Sequence, residues 1–370
     1  MSRSPIFVTQ PSLPSLEHLI PYLEQIWENK VLTNAGPFHQ QLEKELCEYL
    51  GVPNISLFSN GTIALIIALK ALDIEGEVIT TPYSFVATSN ALLWNNLKPV
   101  FVDIDPVTLN IDPSKIEAKI TPNTTAILAV HVYGNPCDID AIDAVANRHN
   151  IKVIYDAAHA FGVRCHCGSV LNHGDLSVLS FHATKVFNTF EGGAIVSPDA
   201  ETKRRIDQLK NFGFENEVSV TQIGMNGKMN EFSAALGLLQ LQEIDKQIEK
   251  RKTIDTAYRE LLGNIPGIRC HSRNWAQNLN YSYFPIFVEY DYPITRDVLY
   301  DKLKGYGING RRYFYPLITD YSIYQDKTLS SEREWPIAKQ ASEQVICLPM
   351  FEDLSISEIN KIVKVVSNAS

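Results

Sequence analysis

Between residues 55 and 196 the chain alternates short apolar runs with segments of helical periodicity. The runs EVITTP, KPVFVDID, TAILAVHVYG and KVIYD have the length and the Val/Ile content of buried strands. The segments SFVATSNALLWNN and AIDAVANRHN, which lie between such runs, have the spacing of helices. This alternation predicts an α/β fold in which helices cover both faces of a mostly parallel sheet.

Several polar or aromatic positions follow the predicted strands directly. They are residues 59–62, Phe85, residues 131–135, residues 156–159 and Lys185. In sheets of this kind ligands bind beyond the carboxyl ends of the strands. We therefore expect these positions to meet at one edge of the sheet and to form a single site.

Lys185 lies in the segment SFHATKVFNTFEGG, between the apolar runs 176–181 and 194–196. A lysine held in a dry site at a strand end has a lowered pKa, and its neutral amine can form a Schiff base with an aldehyde. A single lysine in a polar loop is also compatible with an ordinary solvated residue. The neighbouring motifs decide between the two.

Two of these motifs suggest a phosphorylated, nitrogen-containing ring. FSNGTIAL is a strand, a turn of small residues and the start of a helix, which together can hold a phosphate, although many unrelated units look similar. Asp156 ends an apolar run, where it either caps the next turn or pairs with a buried cation. A phosphate cradle, an aromatic ring, an aspartate and a lysine are the groups that pyridoxal 5'-phosphate requires.

The composition excludes several classes of protein. The formal charge of −9 over 370 residues argues against non-specific nucleic-acid binding, which requires a basic surface. No apolar run approaches the ~18 residues of a membrane span, and the N-terminus lacks an apolar core of signal-peptide length. Six scattered cysteines do not form a disulfide framework, so we expect a cytoplasmic protein without membrane or nucleic-acid partners.

Cys165, His166, Cys167 and His173 form the one cluster of metal-ligating residue types. Structural zinc sites usually separate their cysteines by two to four residues, whereas a single residue separates these two, and a glycine follows at once. We expect an ordinary strand and turn here, and no metal.

The chain outside the alternating region predicts a division into two domains. The first forty residues look irregular and rich in proline, and a helix then carries Phe38, Leu42, Leu46 and Leu50 at helical spacing. After a long amphipathic segment the pattern changes to that of an α+β domain. We place a large domain at residues 1–245 and a smaller C-terminal domain at residues 246–370.

Five blocks of the sequence resemble the successive motifs of the DegT/DnrJ/EryC1/StrS sugar aminotransferase family. They read FSNGTIAL, TTPYSFVATSNAL, YDAAHAFG, SFHATKVFNTFEGGAIV and IGMNGKMNEFSAALGLLQL. The resemblance extends from LTNAGPFHQQLEKEL to YGINGRRYFYPL and so covers nearly the whole chain. It implies fold type I of the pyridoxal-phosphate enzymes, the aspartate aminotransferase-like fold.

The resemblance also assigns roles to individual residues. It implies that Lys185 carries the cofactor as an internal aldimine and moves protons, and that Asp156 pairs with the pyridinium nitrogen. Asn226 would reach the cofactor phosphate of a neighbouring subunit, which implies a homodimer with shared sites. The remaining cofactor contacts would be the aromatic ring of Phe85 stacked on the cofactor, His159 near the phenolic oxygen, and Gly61, Thr62 and Ser180 at the phosphate. The chain departs from many members at His159, where they carry Gln, and at Gly227 and Lys228, where they carry Tyr-Arg.

The implied reaction is the amination of a nucleotide-linked keto-deoxysugar with glutamate as amino donor. The segment SFHATK, with His182 ahead of the lysine, resembles members that act on 4-keto-6-deoxyhexoses, so we expect dTDP-4-keto-6-deoxyglucose and a role in surface polysaccharide (O-antigen) synthesis. Arg311 and Arg312, which are either solvated or bound to a diphosphate, and the adjacent Tyr313 are candidate substrate ligands. Three alternatives remain: a 3-keto sugar aminotransferase, a desulfurase or dehydratase (family dehydratases carry histidine in place of Lys185), and a non-catalytic binder of the cofactor.

Overall fold

The computed structural model describes residues 5–273, 276–325 and 335–368. Its helices are α1 (Leu16–Asn29), α2 (Pro37–Leu50), α3 (Gly61–Ala71), α4 (Val86–Trp94), α5 (Ile139–His149), α6 (Ala200–Leu209), α7 (Glu231–Leu262), α8 (Arg296–Gly305), α9 (Ser322–Gln325), α10 (Pro336–Gln344) and α11 (Ile356–Ser367). Its strands are β1 (Ile6–Phe7), β2 (Asn54–Phe58), β3 (Glu77–Thr80), β4 (Lys98–Phe101), β5 (Thr124–Val130), β6 (Lys152–Asp156), β7 (Arg164–Cys165), β8 (Gly168–Ser169), β9 (Leu176–Ser180), β10 (Gly193–Ser197), β11 (Phe214–Asn216), β12 (Ser219–Val220), β13 (Ile268–Cys270), β14 (Phe284–Val288), β15 (Ile308–Asn309) and β16 (Val345–Leu348).

A seven-stranded sheet forms the centre of the molecule, in the order β2-β10-β9-β6-β5-β3-β4. The pairs β9–β6, β6–β5, β5–β3 and β3–β4 are parallel, whereas β10 runs antiparallel to both of its neighbours. Separate clusters of buried apolar side chains pack on its two faces. The predicted α/β fold with a mostly parallel sheet is confirmed.

Helix α2 confirms the predicted helix that carries Phe38, Leu42, Leu46 and Leu50. All four side chains are buried, because their spacing places them on one helical face. Gly51 follows the helix with φ of 66°, a left-handed conformation that glycine adopts without a steric penalty. The helix therefore ends where the sequence predicts.

The expectation of an irregular N-terminal segment is wrong, because residues 16–29 form helix α1. Pro21 lies inside this helix, where it removes one backbone hydrogen bond. Leu19 and Ile26 are buried, and Tyr22 and Leu23 pack against the core beside α2. Burial of this apolar face outweighs the cost of the proline, which local propensity alone does not reveal.

Helix α7, with 32 residues, contacts two hydrophobic cores. Ala234, Leu238 and Ile244 pack in the core beside the large sheet, whereas Ile254 and Tyr258 pack in a second core beside β13, β14 and β16. The change of core falls near residue 245. The division at this residue stays a prediction, and strand β1 at the N-terminus pairs with β15 of the C-terminal part.

Glu231, the first residue of α7, is completely buried. Its two carboxylate oxygens accept hydrogen bonds from the backbone amides of Phe38 and His39, at 2.8 and 2.9 Å. These amides belong to the first turn of α2, where they have no partner within the helix. A side chain distant in sequence therefore completes the start of α2.

None of the described helices combines the length and the apolar character needed to cross a lipid bilayer.

Candidate active site

A cavity of about 700 Å³ lies at the carboxyl ends of the parallel strands. The sequence proposes twelve residues for the active site, and one of them, Asn226, is expected to serve the neighbouring subunit. Ten of these twelve line the cavity: Gly61, Thr62, Phe85, Asp156, His159, Ser180, His182, Lys185, Arg311 and Tyr313. The predicted convergence at one sheet edge therefore holds for most of the candidates.

Lys185 follows β9 and lies partly buried in this cavity. Loss of hydration lowers the pKa of its amine to about 8, although attraction from Asp156 opposes the shift. The amine donates a hydrogen bond of 3.4 Å to the hydroxyl of Tyr283. A useful fraction of this amine is therefore neutral, and so nucleophilic, near neutral pH.

Asp156 ends β6 and is buried at the floor of the cavity. Its Oδ2 accepts from the Thr88 hydroxyl at 2.8 Å, and its Oδ1 accepts from the backbone amide of Ala158 at 3.2 Å. Burial raises the pKa of the carboxyl despite these bonds and the attraction of Lys185. A cationic ligand group beside this carboxylate would compensate for its lost hydration, and a protonated pyridine nitrogen is such a group.

His159 is held as a neutral imidazole. Burial and the charge of Lys185 lower its pKa well below the ordinary value. Its Nδ1 accepts a hydrogen bond of 3.2 Å from the backbone amide of Tyr133. A nitrogen that accepts carries no proton, so the ring proton lies on Nε2, which can donate to a ligand oxygen.

The predicted anion site lies at the amino terminus of α3. Asn60 caps the helix by accepting from the amide of Ile63 at 2.9 Å, and Gly61 and Thr62 follow as its first residues. The first amides and the dipole of an 11-residue helix favour an anion. A Cβ atom on Gly193 would lie 2.6 Å from the nitrogen of Gly61, so strand β10 approaches this turn as closely as a glycine permits.

Phe85 occupies the N-cap position of α4 and exposes 57% of its surface at the cavity. The exposed face of this ring can stack on a planar ligand group. The aromatic face, the anion site, the buried carboxylate and the amine together fit the groups of pyridoxal phosphate.

The substrate candidates lie toward the outer part of the cavity. Arg311 is exposed there, beside the partly buried Tyr313. His182 places its Nδ1 2.8 Å from the Thr184 hydroxyl and its Nε2 3.6 Å from a carboxylate oxygen of Glu191. An exposed guanidinium can bind a carboxylate or a diphosphate, and the imidazole can bind a hydroxyl.

Arg312 and Asn226 do not line the cavity within this chain. Arg312 donates a hydrogen bond of 2.7 Å to Asp297 and lies over the rings of Tyr300 and Tyr315. Its predicted contact with substrate therefore has no support in this geometry. Asn226 lies exposed in a loop that pairs with Asn211.

Residues 131–135 also follow a strand end, but they are buried and do not line the cavity. His131 accepts a hydrogen bond at Nδ1 from the amide of Cys137. These residues form the loop in which the amide of Tyr133 bonds to His159, and they do not contribute to the lining of the cavity.

Sequence reasoning missed two residues of the site, Thr88 and Tyr283. Thr88 lies in SFVATSNAL four positions after Ser84, and this helical spacing is the signal that could have identified it. Tyr283 lies just before β14 in the C-terminal part, and its phenol is buried against Lys185 and His159. No local pattern connects it with residues a hundred positions earlier.

Comparisons with known proteins agree with this geometry. The sequence model of the DegT/DnrJ/EryC1/StrS aminotransferase family matches residues 16–367. The chain is 57% identical to a dTDP-4-amino-4,6-dideoxy-D-glucose transaminase of Shigella dysenteriae, over 98% of this chain and 99% of that protein. It is 54% identical to a transaminase of the same description from Escherichia coli, over 98% of each.

Among solved structures, the fold matches that of DesI, determined in the presence of its TDP-sugar product, with a TM-score of 0.93. The two chains are 32% identical, and the match covers 99% of this chain and 94% of DesI. The expected fold type I architecture is confirmed.

Proposed function

Because this chain belongs to the DegT/DnrJ/EryC1/StrS aminotransferase family, we propose that it converts dTDP-4-keto-6-deoxyglucose to the 4-amino-4,6-dideoxy sugar with glutamate as amino donor. The enzyme is a pyridoxal-phosphate-dependent aminotransferase. The two transaminases that are 57% and 54% identical to it support the sugar and the nucleotide, because both are described by this aminodideoxy sugar. The role in surface polysaccharide synthesis is proposed from the same resemblance, and the cytoplasmic location is proposed from the six scattered cysteines, which form no disulfide framework in the sequence.

The observation that carries the proposal is the position of Lys185 and Asp156 at one cavity with an anion-binding helix terminus. When bound, pyridoxal phosphate supplies an aldehyde and an electron-withdrawing ring that stabilises negative charge at the carbon undergoing proton transfer. The amine of Lys185, with its pKa of about 8, can both accept and return that proton near neutral pH.

Asp156 and His159 hold the two polar edges of the ring in this proposal. The carboxylate, fixed by Thr88 and Ala158, would keep the ring nitrogen protonated. Nε2 of His159 would donate to the phenolic oxygen, because its Nδ1 is already occupied by the amide of Tyr133. A hydrogen bond within the protein supports each of these proposed roles.

The outer part of the cavity would select the sugar. Arg311 can bind the diphosphate or the carboxylate of glutamate, both of which carry paired oxygens. His182, whose Nδ1 contacts Thr184, can present Nε2 to a sugar hydroxyl. A pocket that hydrogen-bonds a hydroxyl discriminates between hydroxyl positions more strongly than an apolar pocket does.

We further propose that the active unit is a homodimer with shared sites. Several large apolar side chains are exposed near the cavity loops, including Phe190 and Phe232, whose rings stack 5.6 Å apart with 40% of each residue exposed. A second copy would cover such a patch. The exposed Asn226 would then reach the neighbouring site, as the family resemblance implies.

Amination of matched sugar isomers tests the proposed function. The holoenzyme is mixed with glutamate and either dTDP-4-keto-6-deoxyglucose or the 3-keto isomer, and the amino sugar is measured by mass. We expect kcat/KM to favour the 4-keto sugar. A higher kcat/KM for the 3-keto isomer would contradict the proposed sugar substrate. Failure of glutamate to change the cofactor absorbance would contradict glutamate as the amino donor.

A further inference from the structure

Between β6 and β9 in the sequence, a small hairpin and the segment that follows it bring together three residues that can bind a metal. Cys165 ends β7, and Cys167 lies in the two-residue turn that leads to β8. A short 3-10 helix (Val170–Asn172) follows and places His173 back against the hairpin. The hairpin itself agrees with the strand and turn expected from the sequence, but the position of His173 could not be expected from spacing.

The three ligand atoms, Sγ of each cysteine and Nε2 of His173, lie within 4.8 Å of one another. Nε2 is 3.7 Å from Sγ of Cys165 and 3.2 Å from Sγ of Cys167. A tetrahedral zinc ion, with bonds of about 2.3 Å to sulfur and about 2.0 Å to nitrogen, separates its sulfur and nitrogen ligands by about 3.5 Å. The observed distances lie on either side of this value.

We propose that Cys165, Cys167 and His173 bind one Zn²⁺ ion. Two thiolates and an imidazole are the donor set that zinc prefers, and they match the ligand types of known zinc sites with three protein ligands. Cys165 is buried, His173 is half-buried and Cys167 is exposed, so the fourth position faces solvent and holds water. On binding, each thiol gives up its proton to the solvent as its sulfur forms the bond to zinc, and the site becomes neutral.

The site is separate from the catalytic cavity, since none of its three ligands lines that cavity. It lies in the chain between Asp156 at the end of β6 and Ser180 at the end of β9. A bound ion would join the hairpin to the segment around His173 and hold this connection in place. We therefore expect zinc to raise the thermal stability and to leave turnover unchanged.

The test is a zinc titration of the reduced, chelator-treated holoenzyme without nucleotide sugar, in which a chromogenic zinc indicator competes for the ion. We expect one ion per chain with a Kd of roughly 1 µM or tighter, and release of protons to the buffer. The variants Cys167→Ser and His173→Ala should each weaken binding by about a hundredfold or more, because each loses a direct ligand. Cys47→Ser, at a half-buried cysteine of α2, should bind zinc like the unaltered protein.

A second readout uses Cd²⁺, whose bonds to thiolates absorb in the ultraviolet. The absorbance should rise to saturation at one ion per chain in the unaltered protein, and should fall by about half in Cys167→Ser, which keeps one thiolate. Equal zinc affinity in all variants, or a reduced protein that takes up no zinc, would overturn the proposal. Either result would leave the transaminase assay untouched, so the two proposals fail independently.

Discussion

The hydroxyl of Thr88 donates a hydrogen bond of 2.8 Å to Oδ2 of Asp156. The same hydroxyl oxygen lies 2.7 Å from that of Ser84, and because its own proton is directed to the carboxylate, Ser84 must donate to it. The two hydroxyls on α4 and the preceding turn therefore fix the orientation of a carboxylate on the central sheet. This series of hydrogen bonds links the motif TTPYSFVATSNAL to the motif YDAAHAFG, which are separate in the sequence.

Removing the Thr88 hydroxyl should impair catalysis through Asp156. We expect Thr88→Val, which is similar in volume, to lower kcat by about tenfold, since the loss of one hydrogen bond to a charged group costs about 1.5 kcal/mol or more. Thr88→Ser keeps the hydroxyl and should retain most activity. Equal kcat values for the two variants, measured with saturating glutamate and keto-sugar, would show that the hydrogen bond is unimportant.

Covalent capture of pyridoxal phosphate by Lys185 should depend on pH with a midpoint near the amine pKa of about 8. The neutral amine reacts, so the rate should rise with pH and level off above the midpoint. The charge of Asp156 raises this pKa, so Asp156→Asn should move the midpoint to lower pH. Borohydride trapping at a series of pH values measures both midpoints, and an upward shift in the variant would contradict the assignment.

Replacing Lys185 by alanine should abolish transamination while the protein remains folded. No other described lysine lines the cavity, so no second amine is placed to move the proton. Lys44→Ala, at an exposed lysine of α2 that pairs with Glu48, provides the control and should be fully active. Steady-state turnover and circular dichroism test the two halves of this expectation; activity near that of the unaltered enzyme would refute the role of Lys185.

The contact between Gly193 and the start of α3 should be intolerant of a side chain. A Cβ atom on Gly193 would approach the backbone of Asn60 and Gly61 to within 2.6–2.8 Å, so Gly193→Ala must displace the anion site. We expect weaker cofactor binding and a free energy of unfolding lower by about 1–3 kcal/mol. Gly305→Ala, where no atom lies within 4 Å of the new Cβ, is the matched control. Urea denaturation and cofactor titration of both variants check this.

Mixed dimers test whether Asn226 serves the neighbouring subunit. Coexpression of Asn226→Asp chains with Lys185→Ala chains should give heterodimers that contain one intact site and regain about half of the activity per dimer. Differently tagged chains allow the mixed species to be isolated. If its activity does not exceed that of either parent, Asn226 does not act across the subunit boundary.

The order of apolar runs in the sequence predicts both the central sheet and most of the residues that line the cavity. Strands with continuous apolar burial are visible in the chain, and the ends of parallel strands must meet at one edge, which brings Asp156 and Lys185 together. The place of Tyr283 in the site could not be predicted in this way, because it contacts the amine of Lys185 from the C-terminal part of the chain. The environment of Arg312 is likewise set by tertiary packing: its pairing with Asp297 depends on how α8 packs, which no motif encodes, and its contact with substrate stays a prediction.

The two hydrogen bonds from the amides of Phe38 and His39 to Glu231 limit when the first turn of α2 can reach its native state during synthesis. The carboxylate lies 193 positions after the first of the two amides it satisfies. While the ribosome is producing the intervening chain, at about 5–20 residues per second, the first turn of α2 must remain bonded to water. The native start of this early helix therefore forms only after the strands of the central sheet and Lys185 have left the ribosome.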